Sequence, residues 1–284
     1  MQLCERYGAE LVSCDSMQIY RGCDVGAAKP TPDERSRVRH HLIDVARPDE
    51  RYSAARWAAE ATTAIADATA RGKPVVVVGG TGLYLRALRY GLVDAPASDD
   101  ALRERLLEAE RVEPGSLHRR LLEVDAISAA KIAPRDLVRL VRALEVFELT
   151  GTPISQLHQS QGEREQVPMR VLVLDPPMDE LTQRIGDRTE QMLRRGIIEE
   201  TRRLRLEYGA GIRALAAVGY AEVSSFLDGI IRSAELSTAI VRATRQYAKR
   251  QRTWWRKEPD AGFYPTLSAL LEAEAERLTA MLAA

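Results

Sequence analysis

The chain has 284 residues, 45% of them hydrophobic and 29% charged, a composition that fits a folded globular protein and excludes the collagen-like, low-complexity and disordered classes. Its 41 basic and 41 acidic residues cancel, so no global field draws it to nucleic acid or membrane, and any such binding has to come from a local patch. No apolar run reaches the ~18 residues that span a bilayer, and the opening MQLCERYGAE lacks the apolar core of a secretion signal, so the expected setting is the cytoplasm.

In chain order, ELVSC at 10–14 reads as a short buried strand and HHLIDV at 40–45 as a second one. An Ala-rich helix follows from Ser53, its N-cap, to Gly72. Four consecutive valines at 75–78 then run into a glycine-rich turn and another helix, and strand, helix, strand, turn, helix is the pattern of a parallel α/β sheet. From about 99 to 164 the valine runs vanish and helical periodicity takes over, which reads as a helical insertion. A last strand is expected within MRVLVLDPP at 169–177, with helices from there to the end. The stretches at 93–100 and 158–168 read as hinges or loops. Cys4, Cys14 and Cys23 have neither C-x-x-C nor zinc spacing and read as reduced small hydrophobes.

Three places could carry chemistry. Asp15 and Ser16 follow the first strand directly, at the carboxyl rim where open parallel sheets bind ligands. A carboxylate there can take a proton from an amine or hydroxyl, or help hold a hydrated cation, whereas a bare helix cap needs no Gln18, Tyr20 and Arg21 beside it. Gly79, Gly80 and Gly82 with Thr81 lie at the end of the valine strand; they suit either the approach of a phosphate to a helix N-terminus or a tight strand-to-helix turn. The third place is RATRQYAKRQRTWWRK at 242–257, where Arg242, Arg245, Lys249, Arg252 and Arg256 fall on one helical face with no acid among them. Like charges in a line call for an anion, polyphosphate or nucleic-acid backbone, with Tyr247, Trp254 and Trp255 as packing or stacking surfaces; the other reading is a basic face that is solvated or pairs with acids elsewhere in the fold. The insertion adds Arg135, Arg139 and Arg142 at helical spacing. The one Gly-Lys pair, Gly72-Lys73, is followed by Pro74, so the chain holds no G-x-x-x-x-G-K-S/T phosphate loop.

The blocks DSMQIYRGCDVGAAKPT, HHLIDV, YSAARW, VVVGGTGLYLRAL, RALEVFELTGTPIS and RATRQYAKRQRTWWR, in this order over nearly the whole chain, resemble the tRNA dimethylallyltransferases. The resemblance implies a P-loop-type α/β parallel-sheet core, 1–98 and 165–284, with a helical insertion domain at 99–164 that contacts tRNA. It implies transfer of a dimethylallyl group from dimethylallyl pyrophosphate to N6 of an adenine beside the anticodon, with Mg2+ as cofactor and no protein ligand for it assigned. By resemblance Asp15 is the general base and acts with Thr81 and Arg245. Asp15, Ser16, Met17, Gln18, Thr81, Arg103, Arg139 and Arg142 form the surface for the tRNA anticodon stem-loop, and Arg245, Lys249 and Arg250 hold pyrophosphate. Departures from the family pattern are Ala27, Arg135, Val138, Ala216 and Ala221, which bear more on tRNA contacts than on the chemistry. Family members carry a strand and phosphate loop ahead of the segment that here opens with Met1, so about one strand, one loop and half a helix are expected to be missing and the chain to be impaired. The expected state is a monomer with no membrane contact. The alternatives are a non-catalytic RNA-binding remnant of the family and a P-loop kinase relative.

Overall fold

The computed structural model describes residues 1–93, 95–160 and 167–282. It divides into two compact units, Met1–Arg89 with Val167–Ala284, and Tyr90–Gln166.

In the first unit α1 (Gln2–Tyr7) closes on Gly8 at φ 62 and feeds β1 (Glu10–Ser13), whose four residues are all buried. A polar loop leads to α2 (Pro32–Arg37) and β2 (His40–His41), then come α3 (Ala54–Ala70), β3 (Val75–Val78) and α4 (Gly82–Tyr90). β1 is central in a parallel sheet of order β2-β1-β3, with Leu11 opposite His40 and Ser13 opposite Val78. The strand expected over 40–45 is only two residues long. Leu42 and Asp44 take φ of 60° and 61°, left-handed values that end extended pairing, and Asp44 is drawn onto Lys29 and Arg35 instead. α3 starts at the Ser53 cap, which accepts from the Arg56 N–H, and carries Trp57 into the core, where the indole stacks on Tyr84 at 4.9 Å and donates to the Ser13 carbonyl at 3.0 Å.

The second unit is helical: α5 (Asp100–Val112), α6 (Ser116–Val124), α7 (Ala126–Ala129), α8 (Leu137–Thr150) and α9 (Ile154–Ser160). Its core is Leu102, Leu106, Leu117, Leu121, Leu140 and Leu144, the apolar positions that the helical period supplies. The loop expected at 93–100 ends at Asp99, which caps α5 through the Leu102 N–H, and Asp94 lies outside the described residues. Of the loop expected at 158–168, residues 158–160 belong to α9 and 161–166 lie outside the described residues.

The chain then returns to the first unit with β4 (Leu172–Leu174), α10 (Met178–Arg194), α11 (Ile197–Tyr208), α12 (Tyr220–Leu227), α13 (Ser233–Trp255), β5 (Gly262–Tyr264), α14 (Leu267–Ala273) and α15 (Ala275–Leu282). β5 corrects the expectation of helices to the end. It is three residues long, has no apolar run, and exists by pairing in parallel with β4, Val173 opposite Phe263. Among the described residues β3 pairs only with β1 and β4 only with β5, and Val78 and Leu174 are 47% and 51% exposed. The core beneath joins Val12, Ile19 and Trp57 to Ile197, Leu204, Tyr220 and Ile240, each burial contributing roughly 1.5–3 kcal/mol for a large apolar side chain. The three cysteines are free and buried, and burial pushes the Cys14 thiol up to about 12 and that of Cys23 to about 11, so both stay protonated.

Candidate active site

β1 and β3 are parallel and in register to their carboxyl ends, so the residues that follow them share one rim. The Cys14 N–H still reaches the Val78 carbonyl at 2.7 Å, and the Thr81 N–H returns to the Cys14 carbonyl at 3.1 Å. Asp15 comes next. Its Oδ1 accepts from the Met17 and Gln18 N–H groups at 2.7 and 3.3 Å, a side-chain-stabilised turn that half-buries the carboxylate and points the chain back toward the core. Oδ2 has no hydrogen-bond partner among the described residues. Ser16 gives its N–H to the Thr81 hydroxyl at 3.0 Å, so the Thr81 proton is left to donate outward.

Between the two readings of the glycine turn, the geometry favours close packing. Gly79, Gly80 and Gly82 all lack positive φ. A Cβ at Gly79 would lie 2.1 Å from the Cys14 carbonyl oxygen, and at Gly80 and Gly82 about as close to the Gln251 amide and the Trp254 indole. Gln251 also donates to the Gly80 carbonyl at 3.1 Å, so the last turns of α13 are seated on the loop that carries Thr81. Tyr247 is on this side of α13. Burial first, and then the field of Asp15, raises its phenol, and Arg250 stacks over its ring at 5.6 Å.

The basic stripe lies on another face of α13. Arg252 pairs with Asp175, just past β4, at 2.5 Å, and Arg256 approaches the same carboxylate at 3.9 Å. This corrects the picture of five cations sharing one outside anion, because the fold supplies an acid for two of them from 77 positions earlier in sequence, 252 minus 175. Arg242, Arg245 and Lys249 remain exposed and have no ion pair among the described residues.

The polar residues after Asp15 serve the loop. Gln18 accepts from the Ser13 hydroxyl at 2.9 Å and donates to the Ala27 and Ala28 carbonyls at 3.4 Å. Tyr20 is buried, and Arg21 donates to the Asp44 carbonyl at 2.9 Å. Lys29 was not singled out from the sequence. Its side chain is 2% exposed, and the ammonium sits among the Tyr20 carbonyl at 2.6 Å, Asp24 at 2.8 Å and Asp44 at 2.5 Å. Burial pushes the Asp44 carboxyl up, and hydrogen bonds from Lys29 and Arg35 more than reverse it. The one trace of this cage in the sequence is the position of Lys29 within the GAAKPT block. Met17 and the Ser16 hydroxyl stay half-buried at the rim.

In the helical unit, Arg103 and Arg142 both bind the fully buried Glu145, at 2.7 and 2.6 Å, and Arg142 also donates to the Pro96 carbonyl. Burial pushes Glu145 up and these two guanidinium groups pull it below the ordinary carboxylate value. The triad keeps one net positive charge, and both arginines are a third exposed. Arg139 is exposed and pairs with Asp136 at 3.4 Å, and Arg135 is exposed without an ion pair among the described residues.

The profile of the IPP transferase family matches residues 18–258. The tRNA dimethylallyltransferase of Anaeromyxobacter dehalogenans is 48% identical over 90% of this chain and 86% of that one, and that of Halorhodospira halophila 45% identical over 96% and 90%. Among solved structures, the tRNA isopentenylpyrophosphate transferase of Bacillus halodurans superposes with TM-score 0.71 at 32% identity over 99% of this chain and 91% of that chain. A eukaryotic dimethylallyltransferase acting on tRNA gives TM-score 0.79 at 28% identity over 98% and 73%. With the family profile covering most of its length and relatives this similar along almost all of it, the chain belongs to the IPP transferase family.

Proposed function

We propose that this protein transfers a dimethylallyl group from dimethylallyl pyrophosphate to N6 of an adenine next to the tRNA anticodon. The observation that carries the reading is Asp15: one carboxylate oxygen is fixed by two backbone N–H groups, the other has no partner among the described residues, and the Thr81 hydroxyl stands on the same rim. An adenine amine is a weak nucleophile, so a carboxylate within hydrogen-bond reach takes its proton as nitrogen bonds to the allylic carbon. The carbon–oxygen bond to pyrophosphate breaks in the same step, and its electron pair leaves with pyrophosphate. The adenine has to leave its stack to reach a recessed rim, since Asp15 is half-buried.

Charge on the leaving group falls to Arg250, which stacks over Tyr247 on the side of α13 that meets the Thr81 loop, with the Thr81 hydroxyl as a further donor; Arg245 and Lys249, on the exposed stripe of the same helix, add to the positive field. Mg2+, which binds chiefly through water and phosphate oxygens, is the cofactor this reading implies, and among the described residues no three acids, histidines or cysteines converge on a metal site. Bound through those oxygens, it would neutralise pyrophosphate. The helical unit, expected as the domain 99–164, offers exposed Arg139, and Arg103 and Arg142 with their surplus charge, to the anticodon stem-loop. We place the enzyme in the cytoplasm as a monomer, in keeping with three buried free thiols. Among the described residues no helix is long and apolar enough to cross a membrane.

The test sets a prenyl-transfer assay with an anticodon stem-loop RNA beside filter binding of the same RNA. Asp15→Asn is expected to lower the single-turnover rate by ~10²–10⁴ with RNA affinity nearly intact. RNA binding without transfer by the unsubstituted chain would establish the non-catalytic RNA-binding reading in its place.

A further inference from the structure

Behind the Asp15 turn lies a second turn, residues 24–29, closed by the Ala28 N–H on the Val25 carbonyl at 3.1 Å and the Lys29 N–H on the Asp24 carbonyl at 3.0 Å. Its inner side is built around a carboxylate. Glu200, on α11 and 6% exposed, accepts from the N–H groups of Asp24 at 3.0 Å, Val25 at 2.9 Å and Gly26 at 3.0 Å, and from the Tyr220 hydroxyl at 2.6 Å. Three successive N–H groups turned toward one point form an anion-binding concavity, and here a side chain of the protein fills it. No lysine or arginine pairs with Glu200 among the described residues, so these four donors carry its charge. Gly26 is required at the contact, because a Cβ there would lie 2.3 Å from the Tyr220 ring.

The outer side of the same turn meets the Asp15 turn twice. The Ala27 and Ala28 carbonyls accept from the Gln18 amide, and Lys29 donates to the Tyr20 carbonyl. Gln18 in turn supplies one of the two N–H groups that hold Asp15 Oδ1. A continuous set of hydrogen bonds therefore runs from Tyr220 and Glu200 through the 24–29 turn to Gln18 and Asp15. We infer that Glu200, seated in this N–H concavity with Tyr220, is a positioning residue for the Asp15 carboxylate. The inference rests on the transferase reading above. Glu200 touches no reacting atom; it shapes the turn that sets where Asp15 stands, and misplacing a base by about 1 Å can cost on the order of 10²-fold in rate.

The experiment is a double-mutant cycle in single-turnover prenyl transfer, with dimethylallyl pyrophosphate and an anticodon stem-loop RNA both saturating. Glu200→Gln sets an amide NH2 against N–H donors and is expected to slow transfer ~10-fold, with dimethylallyl pyrophosphate affinity within about twofold of the unsubstituted protein. In an Asp15→Asn background the same change is expected to cost less than about twofold, since the base it positions is gone. Tyr220→Phe keeps the ring beneath Gly26 and removes the hydroxyl that donates to Glu200; it is expected to cost roughly threefold, again only when Asp15 is present, and it decides the matter if Glu200→Gln does not fold. Equal losses in both backgrounds, or none in either, overturn the positioning role. No transfer by the unsubstituted chain removes the transferase reading itself, and the positioning role falls with it.

Discussion

Ser16 and Thr81 are joined across the rim of the sheet, the Ser16 N–H donating to the Thr81 hydroxyl at 3.0 Å, so the turn that holds Asp15 is tied to the start of α4. The bond links the ends of two adjacent parallel strands and orients the Thr81 proton away from Ser16. Thr81→Val keeps the shape and removes the acceptor, leaving a half-buried N–H unpaired. It is expected to cost ~1–3 kcal/mol in stability and at least ~10-fold in single-turnover rate, while Thr81→Ser retains most of both. Thermal melts and rapid-quench transfer assays on the pair check this; Val and Ser variants that behave alike would remove the hydroxyl from the account.

Two glycines of the same loop, Gly79 and Gly80, should differ from each other. At Gly79 the obstacle is the Cys14 backbone, which cannot move without the sheet, whereas at Gly80 it is the end of the Gln251 side chain. Gly79→Ala is expected to destabilise by more than about 3 kcal/mol, and Gly80→Ala by about 1 kcal/mol with a loss of activity as α13 shifts. Chemical denaturation of both variants gives the order, and a reversed order would refute the packing argument.

Arg245 and Arg252 lie on one face of α13, but among the described residues only Arg252 of the two has an acid, Asp175, at 2.5 Å. Arg245→Gln is expected to weaken dimethylallyl pyrophosphate binding and leave the melting temperature within about 2 °C, since an exposed unpaired cation contributes little to folding. Arg252→Gln leaves the half-buried Asp175 with only the distant Arg256, at 3.9 Å, among the described residues and is expected to lower the melting temperature. If Arg245 contacts RNA phosphate instead, the salt dependence of RNA binding flattens by about one unit of slope with ligand affinity unchanged.

Acid unfolding should report Glu274. Hydrogen bonds from Arg170 and then Tyr264 hold its carboxyl down at about 2, against an ordinary value of 4.5. A carboxyl depressed in the folded state adds stability that is complete above its unfolded value and is lost as pH falls through the folded one, so its share disappears between about 4.5 and about 2. Glu145, lowered by Arg103 and Arg142, acts in the same direction. Glu274→Gln is expected to be less stable than the parent at neutral pH and to show a shallower decline across that window in urea titrations. Parallel declines for both proteins would show that Glu274 does not govern the acid limb.

What the chain reveals on its own is what short-range pattern can encode. β1, the valine strand β3, the long α3 with its Ser53 cap and the leucine-faced helices of 100–151 follow from apolar period and capping, which act within a few residues. The position of Asp15 and Thr81 on one rim followed from the same reasoning, because residues after parallel strands share an edge. Only the tertiary structure decided the rest. β5 forms because β4 lies beside it, and Leu42 and Asp44 leave the extended region where Lys29 and Arg35 draw in a carboxylate. Gly80 answers to Gln251, 171 positions away, and the 24–29 turn is shaped by Glu200, up to 176 positions away. A buried polar group must find its partner wherever the fold places one, because leaving it unpaired costs about 1–3 kcal/mol, and no periodicity in the sequence records that partner.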